Sequence, residues 1–275
     1  MEQLLVNAAN GGQFEEVQAL LADHPGLNVN WGDIEHRMTA LHWAPQKGHL
    51  EVVKLLLAHH AISVNVQNSR GSTPFSHSCY SGSVAAVRLL LKDPRVDVTL
   101  PNYNQCTPLW RASYYGRREV IEWLIASGRD LGDLDKKGKW SVTTEYSALE
   151  IAKARNQTEV VALLERFIDN PTQTRHELRL RLGVRDELAA EVFALTVFLC
   201  DGLLQPRLPA LAAPVNVPNP AARFFAIARK LPLELQMVIC HRAVGSAKDG
   251  ILNKDSEAAF KSLARILLVP AQPLI

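Results

Sequence analysis

Thr39-Ala40-Leu41-His42-Trp43-Ala44, followed after three residues by Gly48-His49-Leu50-Glu51-Val52-Val53-Lys54-Leu55-Leu56-Leu57, reads as two short apolar segments hinged at one glycine. The Thr39 hydroxyl suits a helix N-cap, and Gly48 tolerates the left-handed backbone that ends a helix. The opening pattern returns as Thr73-Pro74-Phe75-Ser76, Thr107-Pro108-Leu109-Trp110 and Ser147-Ala148-Leu149-Glu150. The first three copies lie 34 residues apart, and each of the four meets a breaker nine residues on: Gly48, Gly82, Gly116 and Asn156. A degenerate earlier copy holds Ala8-Ala9, Gly12 and Phe14-Glu15-Glu16-Val17. A fixed period of this size marks stacked helical hairpins, because no single unit can bury its own apolar face.

The second copy closely resembles the ankyrin-repeat pattern TPLHLAA…GHLEVVKLLL, and the resemblance covers about residues 2–168. It implies an all-α solenoid of about five helix-turn-helix repeats with short hairpin loops, followed by a C-terminal helical region. Leu20-Leu21, Leu55-Leu56, Leu89-Leu90, Leu124-Ile125 and Leu163-Leu164 form the expected outer-helix layer, with Trp43, Trp110 and Trp123 in core slots. Asn28-Val29-Asn30, Val64-Asn65 and Val96-Asp97-Val98 lead into the hairpin loops. Three departures stand out. Arg37 and Gln105 replace the usual glycine at two hairpin tips, which predicts less regular turns. Pro45 falls inside an inner helix and is expected to kink it. The last step is 40 residues, the excess falling in Lys136–Glu145 as an enlarged hairpin finger.

Composition narrows the function classes. The 275 residues are 47% apolar and 21% charged, ordinary material for a packed chain with room for two domains. A net charge of +2, with basic spots broken by acids, argues against a dedicated nucleic-acid surface. Cys79, Cys106, Cys200 and Cys240 lack paired spacing and read as buried thiols of a reducing compartment. The start carries no signal-peptide pattern, and the longest apolar stretch, Val192 to Cys200, is under half a membrane span. Cytosol or nucleus is expected, with no membrane partner. No phosphate loop, nucleophile elbow or metal-spaced cluster is present, so neither cofactor nor metal is expected. His42 is expected to brace neighbouring repeats, and His59-His60 to diverge as neighbours on a helix. Cys240 beside His241 and Arg242 is the one place for a Cys–His nucleophile, yet consecutive helical positions diverge by about 100°.

Partner recognition is therefore the leading function, by a monomer that binds one or more proteins. In ankyrin arrays the hairpin tips and inner-helix ends form one concave face. Mapped onto the pattern, that face holds Glu35, His36, Met38, Gln46, Lys47, Arg70, Tyr80, Tyr103, Asn104, Tyr114, Tyr115, Tyr146 and Arg155. All five tyrosines of the chain fall in this set. Tyr and Arg are enriched in binding hot spots, although tyrosines also plug gaps between repeats. Tyr80 and Tyr114 occupy equivalent slots, so their rings are expected about 10 Å apart.

Beyond the array (1–168) the period stops. Helices are expected over 173–182 and 184–204, forming a cap (169–205), then a proline-rich bridge (206–220) and a C-terminal helical segment (221–275). Leu231-Pro232-Leu233-Glu234-Leu235 followed by Val238-Ile239 resembles the start of an F-box, and its place behind the repeats is similar to the tails of poxvirus ankyrin proteins. That resemblance implies a cullin-ligase substrate receptor docking Skp1 through Leu231, Pro232, Leu235, Val238 and Ile239. Proline at the first helical position is also how many helices begin. A SOCS box fits less well, its Leu-to-Cys spacing being missed by one residue at Leu235 and Cys240. The whole arrangement is similar to fungal ankyrin-repeat proteins.

Overall fold

Helix pairs follow the 34-residue period. The computed structural model describes residues 1–141, 143–200, 228, 231, 233–244, 251 and 259–260, with backbone alone at 198–200 and 234. The first compact unit runs from Met1 to Leu178. Its inner helices are α1 (Glu2–Gly11), α3 (Ala40–Lys47), α5 (Pro74–Ser81), α7 (Pro108–Tyr114) and α9 (Ala148–Ala154). Its outer helices are α2 (Phe14–Asp23), α4 (Leu50–Ala58), α6 (Val84–Lys92), α8 (Arg118–Ser127) and α10 (Thr158–Asp169). Each inner helix packs on the next inner helix and each outer on the next outer, giving two layers. Leu41, Leu56, Phe75, Leu90, Ile121, Leu124 and Leu164 are fully buried between them. Helix α11 (Pro171–Arg181) follows, with Thr174 and Leu178 buried and the Arg175 side chain donating to Ile125 O at 3.2 Å.

Capping explains where the inner helices begin. Thr73 Oγ1 accepts from Ser76 N–H, Thr107 Oγ1 from Trp110 N–H and Ser147 Oγ from Glu150 N–H. Pro74 and Pro108 take the first helical position, where a missing N–H costs nothing. At α3 the His42 ring closes a reciprocal cap. Its Nδ1 accepts from Thr39 N–H (3.2 Å) and lies 2.9 Å from Thr39 Oγ1. Helix α3 runs through Pro45 to Lys47, and Gly48 ends it in the left-handed region.

The finger turns are more regular than the absence of glycine predicts. Arg37 (φ 54°) and Gln105 (φ 60°) adopt the same left-handed conformation as Gly71 (φ 74°). An acidic or amide side chain holds each tip. Asp33 Oδ1 accepts from His36 N–H, Asn68 Oδ1 from Arg70 N–H and Asn102 Oδ1 from Asn104 N–H. These side-chain turns offset the roughly 1–2 kcal/mol that a β-carbon costs in that region. The tips also bond to one another. Ser69 N–H donates to His36 O (2.9 Å), Tyr103 N–H to Arg70 O (3.2 Å) and Lys139 N–H to Asn104 O (2.8 Å). The enlarged last finger is a small antiparallel hairpin, β1 (Gly138–Lys139) with β2 (Glu145–Tyr146).

The same pitch aligns a second set of braces. His42 Nε2–H donates to Ser72 O (2.9 Å), and Trp110 Nε1–H to Tyr146 O (2.8 Å), from equivalent slots one and three repeats into the regular array. Ser76 occupies that slot between them, and its buried Oγ finds no partner. On the loop side, Asn30 bonds Ser63 N–H and Ala61 O, and Asn65 repeats this with Asp97 N–H and Arg95 O.

The second compact unit, from Arg179, holds α12 (Val184–Cys200) and α13 (Leu233–Ala243), which pack on each other. Ala190, Ala194 and Ala259 form a small core with Ile251 and Phe260 against it. The bridge at 206–220 and most of the C-terminal segment at 221–275 lie outside the described residues.

Two outcomes follow. Gly71→Ala should cost about 1–3 kcal/mol in urea unfolding, since a β-carbon there would lie 2.7 Å from Tyr103 N on strained backbone. Gly48→Ala, at φ 81° with nothing within 4 Å, should cost only about 1 kcal/mol. The buried imidazoles set a pH dependence as well. Burial lowers the pKa of His42 to about 4 and that of His77 to about 3, from 6.5. Below pH 6.5 the unfolded chain therefore binds protons that the folded chain refuses, so stability is full above 6.5 and falls as pH drops toward 4. For His42 the loss amounts to about 3 kcal/mol. Urea midpoints measured from pH 7 to 4 should fall, and His42→Gln should start lower but fall less steeply.

Candidate functional site

The face built by the fingers and inner helices carries a continuous aromatic cluster. Tyr80 meets Tyr115 edge-on (4.6 Å between centroids), and Tyr115 meets Tyr114 edge-on (4.5 Å). Tyr114 then stacks on Trp110 (5.5 Å) and lies 4.6 Å from Trp140 of the last finger. Tyr115, at the end of α7, bridges the two equivalent tyrosines, whose rings a spacing argument alone leaves apart. Cations sit on the ring faces. The Arg155 guanidinium lies 4.7 Å over Tyr114 and 5.3 Å over Trp140, and Arg111 lies 4.9 Å over Tyr80. Such pairs contribute roughly 0.5–1 kcal/mol each at exposed sites.

Two cavities border the aromatic cluster. The larger, about 500 Å³, has Arg70 and Lys139 on its rim, Arg111 in its lining, and Tyr114, Tyr115 and Trp140 as a wall. The smaller, about 210 Å³, is lined by His36, Trp43, Gln46, His77 and Tyr80, and shares Arg70, Arg111 and Tyr115 with the first. Arg111 thus stands between them. Burial lowers its pKa from the usual guanidinium value.

Most of the expected face residues are on the surface. Glu35, His36, Lys47, Arg70, Asn104 and Arg155 are exposed, as are Tyr103 (63%) and Tyr115 (41%). Gln46, Tyr80, Tyr114 and Tyr146 are partly buried. Met38 is a correction. It is 3% exposed, tucked beneath the finger so that Asn68 Nδ2 approaches its sulfur at 3.1 Å. Arg111 and Trp140 were not among the expected residues. Arg111 stands in the slot filled by Trp43, His77 and Ile151 in other repeats, so a guanidinium among bulky, less polar side chains was the available signal. Trp140 lies in the inserted finger, outside the repeat pattern, and is 40% exposed.

The other chemical candidates resolve differently. His59 and His60 stack at 4.6 Å because α4 ends at Ala58 and His59 is extended, which corrects the expected divergence. Among the described residues no group of three His, Cys, Asp or Glu stands together as metal ligands, and no helix is long and apolar enough to cross a membrane. Cys240 and His241 are both buried, with Cys240 Sγ 3.7 Å from Thr196 Oγ1, so this thiol is not presented to a substrate. On α13, Leu233 (52%) and Leu235 (50%) are exposed while Val238 and Ile239 are partly buried, as is Leu231 just before the helix. Pro232 lies outside the described residues.

Comparison with known proteins accords with this geometry. A family model described as ankyrin repeats in three copies matches residues 2–68 and 60–135. A probable E3 ubiquitin-protein ligase of Oryza sativa subsp. japonica is 37% identical over 78 residues, 28% of this chain and 15% of that protein. An E3 ubiquitin-protein ligase of Arabidopsis thaliana is 35% identical over the same length and shares. A palmitoyltransferase of Danio rerio is 48% identical over 48 residues, 18% of this chain and 8% of its own. The chain thus covers well under a fifth of these relatives, whose names describe two different activities. What they share with it is the repeat, and residues 2–135 of this chain are ankyrin repeats in an all-helical solenoid.

Proposed function

We propose that the chain is a non-catalytic interaction module that grips a partner protein on the face formed by its fingers and inner helices, in the cytosol or nucleus. Ankyrin repeats are a protein-binding fold, and the observation that carries the location is the aromatic cluster from Tyr80 to Trp140. Aromatic rings and guanidinium groups offer large contact area for little lost side-chain freedom. Here the rings are already held by one another, so less ordering is needed on binding. The remaining expected contacts, among them Glu35, His36, Lys47 and Asn104, form the polar rim of that face.

A second reading assigns the chain to a ubiquitin ligase as substrate receptor, the repeats holding the substrate and α13 docking Skp1. The plant relatives named as E3 ubiquitin-protein ligases favour it, over their repeats only. The half-exposed Leu233 and Leu235 leave apolar surface on α13 for such a contact.

Affinity purification of the tagged full chain with mass spectrometry tests the first reading. Tyr103→Ala with Tyr115→Ala should abolish capture of the specific partners and lower stability by only about 1 kcal/mol. Partners retained by this variant would place binding elsewhere. Tyr114→Ala is the poorer probe, because its ring also packs on Trp110 and Trp140. For the second reading, the full chain should retain purified Skp1 and lose it on Leu235→Asp; no retention by the unmodified chain would rule it out.

A further inference from the structure

Among the described residues, Arg111 is a cation without a counterion. It lies in α7, largely shielded from solvent. Its Nη1 donates to Ser72 Oγ at 2.6 Å and its plane lies over Tyr80. A guanidinium has five N–H donors, and among the described residues only this one meets a protein side chain. No described residue lining either cavity beside it is an aspartate or glutamate. Arg70, on the rim of both, is exposed and makes no ion pair among the described residues. Lys139 is the exception, since Glu145 faces it across the finger hairpin. A shielded positive charge is costly unless a hydrogen-bonding anion meets it. A planar guanidinium is the side chain best suited to hold a carboxylate through two parallel bonds.

Building on the binding face described above, we propose that the larger cavity receives an aspartate or glutamate side chain from an extended segment of the partner protein. The carboxylate bonds to the free edge of Arg111, and Arg70 adds charge at the rim. The neighbouring residues of the segment lie against Tyr114, Tyr115 and Trp140, whose rings favour apolar or aromatic side chains. About 500 Å³ holds such a side chain together with part of its backbone. Without this occupant, the one charged residue in an otherwise bulky slot of the repeat would serve only to lie on Tyr80 and hold Ser72.

Selection of a phage-displayed random dodecapeptide library on the immobilised full chain tests the proposal. The enriched peptides should share an Asp or Glu next to an apolar or aromatic residue. By fluorescence anisotropy, changing that acid to its amide should weaken binding at least tenfold. Arg111→Gln should do the same, and Arg70→Gln, a surface change that spares the fold, should weaken it several-fold. The amide peptide should lose no further affinity on Arg111→Gln, the non-additivity expected of a direct pair and not of a merely structural arginine. Enriched peptides without an acid, or equal losses from the acid change in both backgrounds, would overturn the carboxylate site while leaving the face itself intact if Tyr103→Ala with Tyr115→Ala still abolishes binding. Peptides indifferent to that double variant, or no enrichment at all, would overturn both.

Discussion

The bonds between successive fingers set the terms for the rest of the molecule. Each finger places one backbone N–H on a carbonyl of the finger before it, from Ser69 to His36, Tyr103 to Arg70 and Lys139 to Asn104. These contacts hold the repeats at one pitch, and a single pitch lets side chains in the same slot meet the same neighbour each time. His42 and Trp110 use it to reach the carbonyl of the following repeat. Close approach has its own requirement. A β-carbon on Gly138 would sit 2.9 Å from Cys106 Sγ and 3.0 Å from its Cα, so only glycine lets the last finger lie against the preceding repeat.

Regular spacing with irregular chemistry gives this face its particular composition. Trp43, His77, Arg111 and Ile151 occupy one slot in four successive repeats, and the stack sets them in a row. The fold would tolerate an apolar residue at each. Arg111 in that row departs from local consistency, and such departures concentrate where a surface is used. Ankyrin arrays bind unrelated targets on one scaffold because the backbone pitch is constant while slots like this one vary.

The second unit follows a different logic. An apolar stripe through Leu231, Leu235, Val238 and Ile239 is visible at helical spacing, and such a stripe would ordinarily mark the buried side. In the structure Gln236, Cys240 and His241 are the buried residues among those described on this helix, and Leu235 stays half exposed. Gln236 is accommodated because its Nε2 donates to Leu231 O, and Cys240 because Thr196 Oγ1 lies beside its sulfur. With partners for Gln236 Nε2 and the Cys240 thiol, packing against α12 decides which face turns inward, and hydrophobic period alone does not place Leu235.

By itself the sequence determined the repeat: its period, its caps, its helix breakers and the leucine layers that force stacking. Those features are local, and local chemistry is legible residue by residue. It also marked most of the exposed face, because slot positions repeat with the period. The stack alone decided what the slots do together. Arg37 and Gln105 reach the conformation of glycine because Asp33 and Asn102 hold their turns and neighbouring fingers bond across them. Met38 is covered, Tyr115 joins Tyr80 to Tyr114, and the inserted finger lays Trp140 against the cluster. Each of these depends on residues of different repeats being brought within a few ångströms, or on a turn held from its far side. No local pattern encodes such distances; they exist only once backbone bonds between repeats have set the pitch.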